Sequence, residues 1–406
     1  MLPPVLEVYV VRHPGDAGSG IAHAFIDHFH GTAYTGLIGG AVEVYVRSAG
    51  WTEPGGVPRP IPFPGESAPG GVPTAEFVVV VPVAGYKLAK SVEEPGPWQD
   101  YVRRLVQAQR DDPDGVGVFP VVVDQGALSG TELGRLIGSR QAIGSSGSDD
   151  AGSTRARCRD LAQGIAQLAD PTGGRVTIFL SHTKWAGTEE RGVPELIDQV
   201  RRALPETRLD AFFDAHDLQP GEDWSVALRK KAGQGAMLAL RTDLYASREW
   251  CQREMLIAKK FGVPVVILDV LGEGEERGSF LMDHVPRVPV RRDGAGWRGT
   301  DVRRGLDLLV DEHLKRVLWR RQQALAVRRP DLDVDWWAPH APEPVTFTEW
   351  LASGGGVGAS GRTRVLHPDP PLGVEERRVL DELARLVGLA QGLDVMTPRQ
   401  LAARGA

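Results

Sequence analysis

Residues Phe77–Val81 read Phe-Val-Val-Val-Val, an apolar and almost wholly β-branched run without a single polar interruption. A strand with one wet face alternates apolar and polar side chains, so an unbroken run points to a strand covered on both faces, as inside a parallel sheet layered by helices. Further strands are predicted at Leu6–Val11, Val42–Val46 and Val116–Val123, with helices at Ile21–Phe29 and Trp98–Gln109 and a Pro/Gly-rich loop over 52–73. Strands alternating with helices imply an α/β layered fold for this first block.

Residues 128–173 read as a connector. A helix is predicted within Gly130–Ile143, a flexible Gly/Ser/Asp stretch over Gly144–Thr154, and a short helix at Arg155–Leu168. From Gly174 the alternation resumes. Strands fall at Val176–Leu180, Leu209–Phe213, Ala236–Leu240 and Val263–Val270, with helices at Pro194–Leu204, Trp224–Lys231 and from Ser247, as N-cap, to Phe261. That order calls for a parallel, doubly wound sheet with right-handed crossovers. An amphipathic helix is predicted over 303–327, with Leu308, Leu309, His313, Leu314, Val317 and Leu318 to one side. Strands at Arg364–His367 and Leu393–Met396 follow, around a helix at Glu375–Leu389.

The two α/β blocks share a pattern. Val8–Val11 leads to Arg12-His13, and Ile178–Leu180 leads to Ser181-His182. Trp98-Gln99-Asp100-Tyr101-Val102 compares with Trp250-Cys251-Gln252-Arg253-Glu254, and each block closes on a Pro-Val-Val strand. Shared architecture without common descent explains this as well as an internal repeat does. The informative difference is Val102 in one block against Glu254 in the other.

Composition bounds the function. The chain has 406 residues, a net charge of −6 and 42% hydrophobic residues, enough for real cores. An acidic balance argues against a nucleic-acid footprint and against a polybasic membrane signal. No apolar run reaches membrane-span length, and the N-terminus has no charged region followed by an apolar one, so neither a span nor a secretory leader is expected. Two cysteines, Cys158 and Cys251, fit a reducing compartment better than a disulfide framework. The expectation is a cytoplasmic protein.

On a helix from Ser247 to Phe261, Trp250 and Cys251 precede Glu254 by four and three residues, and Ile257, Ala258 and Phe261 follow it by three, four and seven. This places Glu254 in an apolar stripe, where a carboxylate must be paired, protonated or facing a cleft. Arg248 and Arg253 are near in sequence, but neither shares its face. The alternative is a Glu at the edge of the stripe whose tip reaches water or an arginine.

Phe179-Leu180-Ser181-His182 looks like the first box of TIR (Toll/interleukin-1 receptor) domains, a strand ending in Ser-His or Ser-Tyr. The stretch from Asp214-Ala215-His216-Asp217 through Pro220-Gly221-Glu222-Asp223 is similar to the loop after the second TIR strand. Tyr245-Ala246-Ser247-Arg248-Glu249-Trp250-Cys251-Gln252-Arg253-Glu254 resembles the family's Ser-x-x-Trp-Cys-x-x-Glu segment. The resemblance covers under a third of the chain. It implies a flavodoxin-like TIR domain over 174–302, preceded by a degenerate TIR-like α/β domain over 1–127 and the linker 128–173, and followed by a C-terminal helix and small α/β region over 303–406.

In enzymatic members of that family the resemblance implies cleavage of the nicotinamide–ribose bond of NAD⁺, with Glu254 as the essential carboxylate. Nicotinamide leaves behind an oxocarbenium-like ribose, and a fixed negative charge steadies it as in glycoside hydrolysis. Water as acceptor gives ADP-ribose; an internal nucleophile gives a cyclic product. NAD⁺ is then the substrate, and no cofactor or metal is called for. Ser181 and His182 follow the first strand, at the edge where open α/β sheets bind ligands. Lys184 is a candidate phosphate contact, Trp185 a candidate base-stacking residue and Trp250 a candidate wall of the nucleotide site. For each, a plain loop or core role is the alternative. His216, Asp217, Pro220 and Gly221 lie in the loop that, by resemblance, contacts a neighbouring subunit, so self-association through this domain and an activating partner are expected.

The sequence contains no Walker loop, Gly-x-Ser-x-Gly elbow or zinc-spaced Cys/His cluster. Gly356-Val357-Gly358-Ala359-Ser360-Gly361 matches a dinucleotide fingerprint formally, but the segment after it reads as strand where the motif requires a helix. Three readings therefore stand: an NAD⁺ glycohydrolase in antiphage defence or signalling, a non-catalytic scaffold that binds other TIR domains, and a nucleoside-processing transferase sharing the layered fold.

Overall fold

The computed structural model describes residues 4–31, 34, 40–48, 56–68, 71–140, 142–143, 151–170, 176–183, 192–207, 209–213, 235–275, 277–294, 296–328, 332–356, 362–389 and 391–404. It is an α/β protein built on parallel sheets. The chain divides into two compact units. One comprises residues 1–173, 317–328 and 398–406, the other 174–316 and 329–397.

In the first unit, β1 (Leu6–Val11) lies between β2 (Val42–Arg47) and β3 (Phe77–Ala84), and β3 is followed outward by β4 (Val116–Val118). All pairs are parallel, and chain order maps onto spatial order 2-1-3-4. Each of the eight residues of β3 is buried, as its unbroken apolar run requires. The strand predicted over Val116–Val123 is interrupted. Pro120 has no N–H to give a ladder, and pairing resumes only at β5 (Val121–Val122), again on β3. Helix α1 (Ser19–Phe29) turns Ile21, Ala22, Phe25 and Phe29 inward and packs against β2. The other face of the sheet, with Tyr9, Val11, Val78 and Val80, packs on Leu88 of α2 (Tyr86–Glu93), on Trp98 and Leu105 of α3 (Pro97–Asp111), and on Leu133 and Ile137 of α4 (Glu132–Ile137). Helix α5 (Ala151–Ala169) takes in residues 151–154, expected as linker, and α4 is shorter than the helix expected within Gly130–Ile143.

At the crevice between β1 and β3 the helix that follows β3 is closed by this chain's own acid. Asp16 accepts the N–H groups of Lys87 and Leu88, at 2.7 and 2.8 Å, on the two oxygens of its carboxylate. Gly85 permits this approach, since a Cβ there would stand 2.5 Å from the Asp16 carboxyl carbon.

The second unit holds β6 (Thr177–Ser181), α6 (Val193–Ala203), β7 (Asp210–Phe213), β8 (Gly235–Arg241), α7 (Glu249–Lys260), β9 (Val265–Asp269) and β10 (Arg287–Pro289). The strands are parallel, and from one edge to the other they run β7-β6-β8-β9-β10, which is 2-1-3-4-5 counted along the chain. That is one of the two common doubly wound orders, with its switch point between β6 and β8. Phe179, Met237, Ala239 and Ile267 meet Cys251, Met255 and Ala258 of α7 in the core. Full burial of such side chains contributes about 1.5–3 kcal/mol each for the larger ones. Helix α8 (Gly299–Val327) begins four residues before the predicted start. Its Gly305 sits where a Cβ would come within 2.3 Å of the Leu268 side chain, so a larger residue there would push that buried side chain aside. Leu308 is only half-buried, and Leu306 and Val310 are buried.

The remainder of this unit is a small β-α-β-α-β layer: β11 (Trp336–Trp337), α9 (Pro344–Ala352), β12 (Thr363–Leu366), α10 (Val374–Leu386) and β13 (Leu393–Met396), with the strands parallel in the order 11-12-13. Trp336, Val365 and Val395 pack with Phe347, Leu380 and Ala384. The segment after the Gly-rich stretch is thus a strand, so the formal fingerprint does not open a helix. Residues 357–361 of that stretch, and the helix expected at Trp224–Lys231, lie outside the described residues. Among the described residues no helix is long and apolar enough to cross a membrane.

Candidate active site

Three buried oxygen-bearing side chains meet at the switch point of the second sheet. Ser181 is the last residue of β6 and stands in register with Ala239 of β8. Beyond β8 the chain makes a 3-10 turn, Tyr245–Ser247, and enters α7. On α7 the buried stripe is Cys251, Glu254, Met255 and Ala258, spaced i, i+3, i+4, i+7, which carries Glu254 inward onto the sheet. The Ser181 hydroxyl donates to Glu254 Oε2, and Tyr245 Oη lies 2.6 Å from Ser181 Oγ. Glu254 is 2% exposed, and Ser181 and Tyr245 are enclosed to much the same degree. Burial pushes the Tyr245 phenol well above its usual range. Cys251 and Glu254 push in the same direction, against the hydrogen bond with Ser181.

The rim around this group is braced. Arg241, closing β8, is bound by Glu275 through Nε at 2.8 Å and Nη2 at 2.5 Å, and reaches Asp269 at 3.2 Å, so its guanidinium is held above its ordinary range. Asp243 accepts the N–H groups of Gly272 and Glu273 at 2.9 and 2.8 Å. Together these tie the segment after β9 to the turn after β8.

Five residues beyond Glu254 on the same helix, Lys259 forms a buried ion pair with Glu343 at 3.3 Å and donates to the Asp283 carbonyl at 2.9 Å. Glu343 caps α9: its carboxylate accepts from the Val345 N–H, and its own backbone N–H donates to Thr346 Oγ1. Lys260 adds a pair with Glu349 at 2.8 Å. The small C-terminal layer is therefore joined to the helix that bears Glu254.

Of the residues singled out in the sequence, Ser181 and Glu254 are in direct contact. His182 is half-buried, with Nδ1 2.9 Å from the Thr183 carbonyl oxygen, and is part of the turn after β6. Trp250 does not share the stripe with Glu254. It lies in the first turn of α7 and is 40% exposed, because the inward arc runs along Cys251, Met255 and Ala258 and leaves Trp250 on its flank. Ile257 and Phe261 are half-buried on that flank too. Ser247 is not the N-cap: its hydroxyl donates to the Leu244 carbonyl at 2.8 Å, and Arg248 stands at the cap position. Arg253 pairs with Glu249 at 3.8 Å. Lys184, Trp185, His216, Asp217, Pro220 and Gly221 lie outside the described residues. Among the described residues, no group of three or more His, Cys, Asp or Glu is placed to hold a metal ion.

Two features escaped the sequence reading. Tyr245 opens the motif that ends at Glu254, nine residues on. Helical spacing could not pair them because Tyr245 precedes the helix. The Lys259–Glu343 pair joins residues far apart in sequence, and the one local clue was a charge at a position inside the apolar stripe. Comparison with known proteins gives no assignment: no family model and no curated protein matches the sequence.

Proposed function

We propose that this chain is a TIR-type NAD⁺ glycohydrolase that cleaves the nicotinamide–ribose bond, with Glu254 as the carboxylate that steadies the oxocarbenium-like ribose. The observation that carries the reading is the placement of a buried carboxylate, Glu254, against Ser181 at the crevice between β6 and β8. Ligands of doubly wound sheets bind outside the carboxyl ends of the strands at such a point. The 2-1-3-4-5 order supports the flavodoxin-like TIR assignment drawn from the motifs. As the bond breaks, the positive charge of the nicotinamide ring moves onto the ribose; about 4 Å from a carboxylate, at an effective dielectric of about 20, it is held there by about 4 kcal/mol, which sets a ceiling of roughly a thousandfold in rate because the cationic substrate is already attracted in the ground state. The products are nicotinamide and either ADP-ribose or its cyclic form. The setting we propose is cytoplasmic antiphage defence or signalling, with activity raised by self-association.

A second reading is a scaffold in which Glu254 is structural. It is favoured by the near-complete enclosure of the carboxylate and by its bond to Ser181. One assay separates the two. Purified protein is incubated with NAD⁺, with and without a crowding agent, and nicotinamide release is followed beside Glu254→Gln and Glu254→Ala. Under the enzyme reading both variants lose most of the rate, by up to roughly a thousandfold. Wild-type protein that releases no nicotinamide even when assembled counts against the enzyme and favours the scaffold, and turnover surviving in both variants rejects Glu254 as the reacting group.

A further inference from the structure

Resting on the reading of Glu254 as the reacting carboxylate, we propose that Tyr245 is a positioning residue whose phenol donates to Ser181 Oγ and so commits the Ser181 proton to Glu254 Oε2. The direction follows from counting protons. A serine hydroxyl has one proton to give and lone pairs with which to accept. Ser181 gives its proton to Glu254, while Tyr245 Oη stands 2.6 Å from the same Oγ. With the serine proton spent, the phenol is the donor. A phenol kept protonated by its burial is suited to that part.

Both ends of the relay are fixed by backbone. Ser181 closes a central strand. Tyr245 sits in a turn whose N–H groups at Tyr245 and Ser247 bond to Thr242 and Leu244, and Gln252 Nε2 donates to the Ala246 carbonyl at 2.6 Å from the first turns of α7. With all three side chains enclosed, bulk water is not at hand to replace a lost donor. Without the phenol, the Ser181 hydroxyl keeps Glu254 Oε2 as its acceptor but loses the donor that polarises it, and its hydrogen bond to the carboxylate weakens. Tyr245 itself touches no substrate in this scheme; it acts through Ser181.

The test is a double-mutant cycle on Tyr245→Phe and Ser181→Ala, with nicotinamide release and melting temperature read for each variant. Phenylalanine keeps the ring that fills the core. Y245F should lower kcat by about three- to tenfold, the worth of one hydrogen bond, with KM unchanged. Added to S181A, it should cost nothing more, because its effect runs through the missing hydroxyl. Full additivity in the cycle, or an unchanged kcat in Y245F while E254Q is dead, overturns the relay and leaves the proposed activity standing. If the wild type proves inert, the infrared carboxylate band of Glu254, isolated by subtracting the E254Q spectrum, decides the matter. A shift in Y245F in the same direction as in S181A supports the relay, and an unmoved band in Y245F overturns it.

Discussion

Removing one partner of the Lys259–Glu343 pair should cost far more than removing both. The two side chains are 4% and 3% exposed and stand 3.3 Å apart. Glu343→Gln keeps a carbonyl oxygen for the cap on α9 but leaves the Lys259 ammonium without its charge partner; Lys259→Met does the converse. An orphaned buried charge costs about 3–5 kcal/mol. In a unit of this size each kcal/mol moves Tm by roughly 2–4 °C, so either single variant should melt roughly 6–20 °C lower. Burial lowers the Lys259 ammonium from its usual range despite the pull of Glu343 and Asp283. A lysine lowered in the folded state binds fewer protons there than when unfolded, so folding with the charge in place carries a cost at neutral pH. That cost is relieved as pH rises from the folded value toward 10.5. The double variant Lys259→Met/Glu343→Leu should therefore recover most of the loss, short of about 1 kcal/mol for the missing cap. Calorimetry and urea unfolding of the four proteins measure this. Two single variants within about 0.5 kcal/mol of wild type, or a double variant as weak as the sum of the singles, would refute the reasoning.

Burial lowers His367 to about 4, helped by His284 and opposed by the Pro368 carbonyl. Its neutral form is the native one, so stability present above pH 6.5 is lost as pH falls toward 4, by about 3 kcal/mol; His367→Asn should flatten that part of the stability–pH curve measured by urea titration. Glu43 stands in register with Glu7 on β1 and β2, and burial first, then the Glu7 charge, raises it to about 7. A raised carboxyl loses stability as pH climbs from 4.5 through 7, so Glu43→Gln should raise Tm by a few degrees at about pH 8 and leave it unchanged at about pH 4. Glu275→Ala removes the bidentate hold on Arg241 and should speed hydrogen exchange at 270–275 before it changes exchange in the central strands.

The apolar runs made the sheets legible, since a run such as Phe77–Val81 has few other uses, and both parallel layers fall where those runs stand. Strand ends were less legible. Pro120 splits one predicted strand, and no local signal told where the ladder would resume. Glu254 was readable as an inward carboxylate from its spacing to Cys251 and Ala258. Trp250 was misplaced because four residues on a helix span about 40° of rotation, enough to cross the edge of a narrow buried arc. The partners of Glu254 were half visible. Ser181 ends a strand, and its edge position marks it, whereas Tyr245 is brought in by a turn whose geometry depends on the Thr242 and Leu244 carbonyls. Long-range pairs such as Lys259 with Glu343 depend on how layers stack, which no periodicity within one segment encodes.

The Asp16 carboxylate makes the first sheet unequal to the second despite their shared strand order. The Lys87 and Leu88 amide hydrogens at the start of α2, where an incoming phosphate would otherwise bond, are already taken by an anion tethered within the same chain. Evolution toward nucleotide capture in that half would first have to evict an internal competitor, and until then the half is committed to holding its own turn shut.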